Sequence, residues 1–168
     1  HAMASMGNGK ILMYGGWDGK NNLNDAYIFT ITINKLTGKE EGQWVKTEDG
    51  PSARNSHAMA SLESGKILMY GGVGVTGDLN DAYIFTITIN ELTGKEEGQW
   101  VQTEDGPSAR ELHAMASLGN GKILMYGGLA YGNDLNDAYI FTITINELTE
   151  KEEGQWVQTE DGPSARDS

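Results

Sequence analysis

The hexapeptide ILMYGG stands at residues 11–16, again at 67–72 and again at 123–128. Ile67, Leu68, Met69 and Tyr70 are apolar at every position, so an extended chain here is hydrophobic on both faces, the pattern of a strand covered on both sides. Gly71 and Gly72 then admit a positive φ, or an approach of backbone that a Cβ would block. A strand of this kind has to lie between two other layers. Its three copies therefore imply a stack of similar units that nest against one another.

Outward from the hexapeptide, the rest of the chain repeats in step. HAMASM at 1–6 returns as HAMASL at 57–62 and 113–118, and Trp44, Trp100 and Trp156 keep the same 56-residue spacing. Three such periods account for all 168 residues, so His1 reads as the first residue of a repeat, and the repeats are 1–56, 57–112 and 113–168. In the middle copy, HAMASL and KILMYGG (66–72) are separated by ESG and read as two strands joined by a tight turn. DAYIFTITIN (81–90) is rich in aromatic and β-branched residues, with Tyr83, Phe85, Ile87 and Ile89 alternating onto one face. A polar turn, ELTGKEEG (91–98), leads to a fourth strand, QWVQT (99–103). No segment carries a helical period, so the fold class is all-β with four strands per repeat.

An arginine and a histidine ahead of a small-residue strand (Arg110, His113), the pair Gly127 and Gly128, then NDAY and a single Trp156 form an ordered set. This set resembles the kelch motif of β-propellers, three times over and along the whole chain. A period near 50 residues agrees with that resemblance better than the shorter helical repeats do. The resemblance implies one four-stranded blade per repeat, with the small HAMAS strand innermost. Copies this alike point to recent amplification or to a symmetrised design.

Propellers have about 4–8 blades, and six is the multiple of three in that range. The first and third repeats carry the same apolar faces as the middle one, whereas arrays that stop in water have polar caps. The expectation is a homodimer in which two three-bladed arcs close one six-bladed ring.

With Lys+Arg of 12 against Asp+Glu of 24, the net charge is -12, a field that repels phosphate backbones and argues against nucleic acid as a partner. There are no cysteines, which excludes disulfides, thiolate metal sites and cysteine nucleophiles. No apolar run approaches the roughly 20 residues that span a bilayer, and the N-terminal residues lack a signal-peptide layout. The chain is expected to be soluble, with no membrane partner and its compartment left open.

The copies differ mainly in two places. After the glycine pair they read WDGKNN (17–22), VGVTGD (73–78) and LAYGND (129–134); before the histidine-led strand they read NS (55–56), EL (111–112) and DS (167–168). In an up-and-down blade these segments emerge on one face, and loops on a rigid scaffold are where binding concentrates. Trp17, Asp18, Lys20, Glu111, Leu112 and Tyr131, beside Arg54, Arg110 and Arg166, are the candidate ligand-binding residues. The resemblance implies a protein, peptide or glycan as the occupant. The plainer readings are loops that vary because nothing constrains them, and PSAR arginines that pair with nearby acids such as Glu104 or Asp105.

His1, His57 and His113 begin the innermost strands and read as hydrogen-bonded structural histidines, since a ring of six is too wide for the roughly 2.0–2.1 Å bonds of a zinc centre. The acids and amides of NDLNDAY (133–139) do not follow the calcium-loop spacing, and Asn80 and Asp81 read as turn formers. No cofactor or metal is expected. Near-identical repeats supply no acid and base in different environments, so catalysis is not expected; a sugar-processing enzyme formed by the whole ring is the least favoured reading.

Overall fold

The computed structural model describes residues 1–145 and 152–166. Residues 146–151 of the third repeat and the DS pair at 167–168 lie outside the described residues. Three four-stranded antiparallel sheets follow one another along the chain, each a simple meander with strands in sequence order. The first is β1 (Ala2–Gly7), β2 (Lys10–Trp17), β3 (Asn22–Ile33) and β4 (Glu40–Lys46). In the second, β5 (Ala58–Ser61) and β6 (Ile67–Tyr70) are followed by a two-residue ladder, β7 (Val73–Gly74) with β8 (Gly77–Asp78), and then by β9 (Ala82–Ile89) and β10 (Glu96–Gln102). The third repeats this as β11 (Ala114–Gly119), β12 (Lys122–Tyr126), β13 (Leu129–Ala130), β14 (Asn133–Asp134), β15 (Ala138–Ile145) and β16 (Glu152–Gln158).

The strand edges follow turn chemistry. Asn90 closes the long hairpin of the second sheet: its Oδ1 accepts the amides of Leu92 and Thr93 at 3.0 Å each, and its carbonyl accepts Gly94 N at 2.8 Å. That turn is complete by Lys95, so β10 begins at Glu96, earlier than the polar composition of 91–98 suggests. Glu96 and Glu97 pair with Ile89 and Thr88 as part of the ladder, on an outermost strand where a solvated carboxylate costs nothing. The segments after the glycine pairs of the second and third repeats are small hairpins of their own. In the first repeat the ladder runs on through a bulge between Tyr14 and Gly16 as far as Trp17 and Asn22.

The core lies between the sheets. Ala4, Leu12 and Tyr14 of the first sheet meet Met59, Ile67, Met69 and Phe85 of the second. On the other side of the second sheet, Ala60, Leu68, Tyr70 and Ile84 meet Ile123, Met125 and Phe141 of the third. The strand β6 is thus buried at all four positions, as its continuous apolar run predicts. Innermost strands β1, β5 and β11 are neighbours, and Ser61 Oγ donates to Ser5 O at 2.5 Å between two of them.

The glycine pair is where one sheet accepts the chain crossing to the next. A Cβ on Gly71 (φ +66°) would meet Arg110 O at 2.6 Å, and one on Gly72 (φ +91°) would meet Asn55 O at 2.5 Å. Both positions need the left-handed region as well as the space, so two independent constraints exclude a side chain.

Candidate functional site

The loop face is built by hydrogen bonds that tie each inter-sheet connection to the glycine pairs. Gly16 N donates to Arg54 O at 2.8 Å, Gly72 N to Arg110 O at 2.9 Å and Gly128 N to Arg166 O at 2.9 Å. Asn55 and Val73 exchange backbone bonds of 3.1 and 2.8 Å, and Glu111 and Leu129 exchange bonds of 2.9 and 2.8 Å. Asn22 Nδ2 reaches Val73 O at 3.1 Å, and Asn55 Nδ2 reaches Asn22 Oδ1 at 2.6 Å, which carries the network from the first loop to the second. The structure therefore seats the variable connections at 55–56 and 111–112 against the loops that follow the next glycine pair, at 73–78 and 129–134.

Within this face the candidate residues separate. Trp17, at the end of β2, is 57% exposed, and Tyr131 (φ 49°) is 82% exposed. The Tyr131 amide donates to Asp78 Oδ2 at 3.2 Å, tying the third loop to the second. Lys20 is exposed. Asp18 is exposed but turned back on its own loop, accepting Lys20 N at 2.8 Å and Asn21 N at 2.7 Å; the Asn21 and Lys20 amides hold its carboxyl below the usual carboxylate range. Glu111 and Leu112 are half-buried, and the Leu112 amide donates to Ser56 O at 3.0 Å. Arg166 is exposed, its Nη2 on Ser164 Oγ at 2.5 Å and its Nε on Ser164 O at 3.3 Å.

Arg54 and Arg110 do not reach solvent at all. Each is fully buried and bridges to the following sheet. Arg54 holds Asp81 through Nη1–Oδ1 at 2.6 Å and Nη2–Oδ2 at 2.7 Å, and also donates to Gly71 O at 2.9 Å and Ser52 Oγ at 2.6 Å. Arg110 repeats this with Asp137 at 2.6 and 2.8 Å, Gly127 O at 2.9 Å and Ser108 Oγ at 2.7 Å. The acid partner of Arg110 is accordingly Asp137, not Glu104 or Asp105. Asp81 likewise faces an arginine rather than a turn. The side chain spans the gap between sheets and meets a carboxylate 27 residues further along the chain. From its sequence Asp81 reads as a turn former and Asp137 only as part of NDAY, although an Asp at positions 25, 81 and 137 repeats with the 56-residue period, in step with the arginines at 54, 110 and 166.

The histidines also differ from expectation. His57 and His113 are buried and pack edge-on against Tyr14 (centroids 5.1 Å apart) and Tyr70 (5.0 Å), and neither ring nitrogen of either residue has an aligned hydrogen-bond partner. The Tyr14 and Tyr70 carbonyls favour a proton on them only weakly. Burial first, and the nearby Arg54 or Arg110 second, push both down to about 3, so they are neutral packing groups at physiological pH. Among the described residues no three His, Asp or Glu side chains converge as a metal site would require. A groove of about 500 Å³ between β4 and β10, lined by Ile28, Val45, Glu48, Asp49 and Glu96, lies away from the candidate residues.

Small inner strands, two-sided β6, glycine pairs seated on the crossing chain and buried arginines linking successive sheets together form one repeating motif. It matches the KLHDC2/KLHL20/DRC7 Kelch-repeats domain over residues 1–168. The chain belongs to the kelch-repeat family. Similar proteins include Adagio protein 3 of Arabidopsis thaliana, 28% identical over 163 residues that cover 95% of this chain and 24% of that protein. Adagio-like protein 1 of Oryza sativa subsp. japonica is 26% identical over 151 residues, covering 88% of this chain and 22% of its own length. A probable serine/threonine-protein kinase of Dictyostelium discoideum is also similar, at 26% over 12% of its length. This chain spans about a quarter of the plant relatives. Kelch-repeat domains are typically protein-interaction scaffolds, and the all-β stack of meanders is consistent with a kelch propeller. Among the described residues no helix is long and apolar enough to cross a membrane.

Proposed function

We propose that this kelch-repeat chain is a non-enzymatic protein-interaction scaffold whose three blades, 1–56, 57–112 and 113–168, close a six-bladed ring with a second copy. One observation carries the reading. Ile67, Leu68, Met69 and Tyr70 of the middle sheet are all buried, whereas Ile11 and Met13 of the first sheet and Leu124 and Tyr126 of the third are only partly covered. The partly covered residues of the first sheet are the counterparts of Ile67 and Met69; those of the third are the counterparts of Leu68 and Tyr70. Each open face is thus one half of an interface that the chain already makes twice. Interfaces of obligate type bury on the order of 2,000–5,000 Å², and a shared apolar blade face is of that kind. Neither amplification nor design alters this complementarity.

Native mass spectrometry tests it. Two chains of 18.2 kDa give a species at about 36.4 kDa, and a chain that remains single at micromolar concentration overturns the closed ring. A second reading, recognition of a peptide, protein or glycan on the loop face, is favoured by the exposure of Trp17 and Tyr131 on hydrogen-bonded loops, the Tyr131 amide donating to the Asp78 carboxylate. Saturable binding in a peptide and glycan screen that disappears with Trp17→Ala supports it, and a flat screen removes it.

A further inference from the structure

The two sheet interfaces within the chain use the same polar contacts, which makes their third copy readable. Between the first and second sheets, Arg54 holds Asp81 at 2.6 Å and Lys10 holds Glu96 at 2.6 Å. Between the second and third, Arg110 holds Asp137 at 2.6 Å and Lys66 holds Glu152. Tryptophans interlock in the same way: Trp100 packs on Tyr14 at 4.8 Å and its Nε1 donates to Glu48 O at 3.4 Å, while Trp156 packs on Tyr70 at 4.9 Å and donates to Glu104 O at 3.4 Å.

Advancing these pairs by one more period names Arg166 with Asp25, Lys122 with Glu40, and Trp44 with Tyr126. Each of these six residues is at an open face, and among the described residues none of the three pairs is made within the chain. Trp44 already stacks on Phe29 at 4.9 Å, as Trp100 does on Phe85 at 5.0 Å, but it remains 49% exposed.

Arg166 is the most telling. Ser52 holds Arg54 through Oγ at 2.6 Å and through its carbonyl at 3.4 Å; Ser164 holds Arg166 through Oγ at 2.5 Å and its carbonyl at 3.3 Å. The guanidinium is thus held by its serine as Arg54 is, and lacks the two groups that the following sheet supplies in the buried pairs, the carboxylate and the glycine carbonyl.

We infer that Arg166 of one copy binds Asp25 of a second copy as the third instance of this ion pair, and that the pair fixes a head-to-tail seam. The inference rests on closure by a second copy and adds which residues specify it. The seam is heterologous: the open face of the third sheet meets the open face of the first sheet of the other copy, and in a ring of two chains this happens twice. Charge pairs at such a seam set register and exclude wrong partners more than they add raw affinity.

Charge reversal separates this inference from the closure on which it rests. Arg166→Asp alone places two carboxylates at each seam, and Asp25→Arg alone places two guanidinium groups there. Each variant is expected to lose self-association by roughly 100-fold or more, as juxtaposed like charges do. Mixing the two restores an opposite-charge pair at both seams, so an obligate heterodimer at about 36.4 kDa is expected in native mass spectrometry. Far-ultraviolet circular dichroism of each variant checks that the sheets remain folded. A dimeric wild type whose folded single variants still self-associate, or whose mixture stays monomeric, overturns the Arg166–Asp25 seam and leaves closure standing. A wild-type chain that never dimerises removes both.

Discussion

The middle sheet and its two neighbours are written in nearly the same residues and live in different surroundings. Phe85 is fully buried between sheets, whereas its counterpart Phe29 is only partly covered; Arg110 is fully buried on an acid, whereas Arg166 is exposed beside the same serine contacts. Burial here is a property of position in the stack, conferred by the adjoining repeat. A sequence repeat specifies a face, and a neighbour decides whether that face is core.

The sharpest break in this comparison is Phe85→Ala. Emptying a site closed on both sides costs about 3–5 kcal/mol, and urea denaturation should show a much smaller loss for Phe29→Ala in dilute chain. As concentration rises and rings close, the two losses should converge; persistent inequality would mean that the first sheet stays uncovered. Arg110→Ala is next. It strands Asp137 in a partly buried site, at a cost of about 3–5 kcal/mol, while Arg166→Ala should be nearly silent in the separated chain.

Acidity probes the buried histidines. Their folded values lie at about 3 against an ordinary 6.5, so between these limits the unfolded chain binds more protons. Stability is complete above pH 6.5 and is lost progressively as pH falls toward 3. His113→Phe should flatten that decline in denaturation midpoints measured across this window, whereas an unchanged slope would assign it to the carboxylates.

Glycines sharpen the contrast on a smaller scale. Gly94 (φ +66°) has open space around it and Gly71 does not. Alanine at Gly94 should cost about 1–2 kcal/mol from the left-handed backbone alone, and Gly71→Ala should exceed it because the new methyl meets Arg110 O. The smallest effect is expected at Leu92, 97% exposed on a hairpin tip: Leu92→Ser should change stability by no more than about 0.5 kcal/mol.

Much of this was open to sequence reading. The two-sided β6, the four strands per repeat and the glycine pairs all follow from local composition and a fixed period. Other features were hidden because they depend on distance through space. The composition of 91–98 reads as one polar turn, yet Glu96 and Glu97 are strand residues, since an edge strand tolerates charge as readily as a loop does. Arg110 lies close in sequence to Glu104 and Asp105, but its length carries it to Asp137 on the next sheet.

By itself the sequence determined the repeating unit: alternation and apolar runs dictate strands, paired glycines dictate close approach, and a constant period dictates that every unit offers the same two faces. Only the tertiary structure decided which arginine meets which acid, that His57 and His113 are neutral packing groups, and which of the loop residues reach solvent. Those outcomes turn on desolvation and on contacts between residues far apart along the chain, and a local pattern carries no record of what will be packed against it.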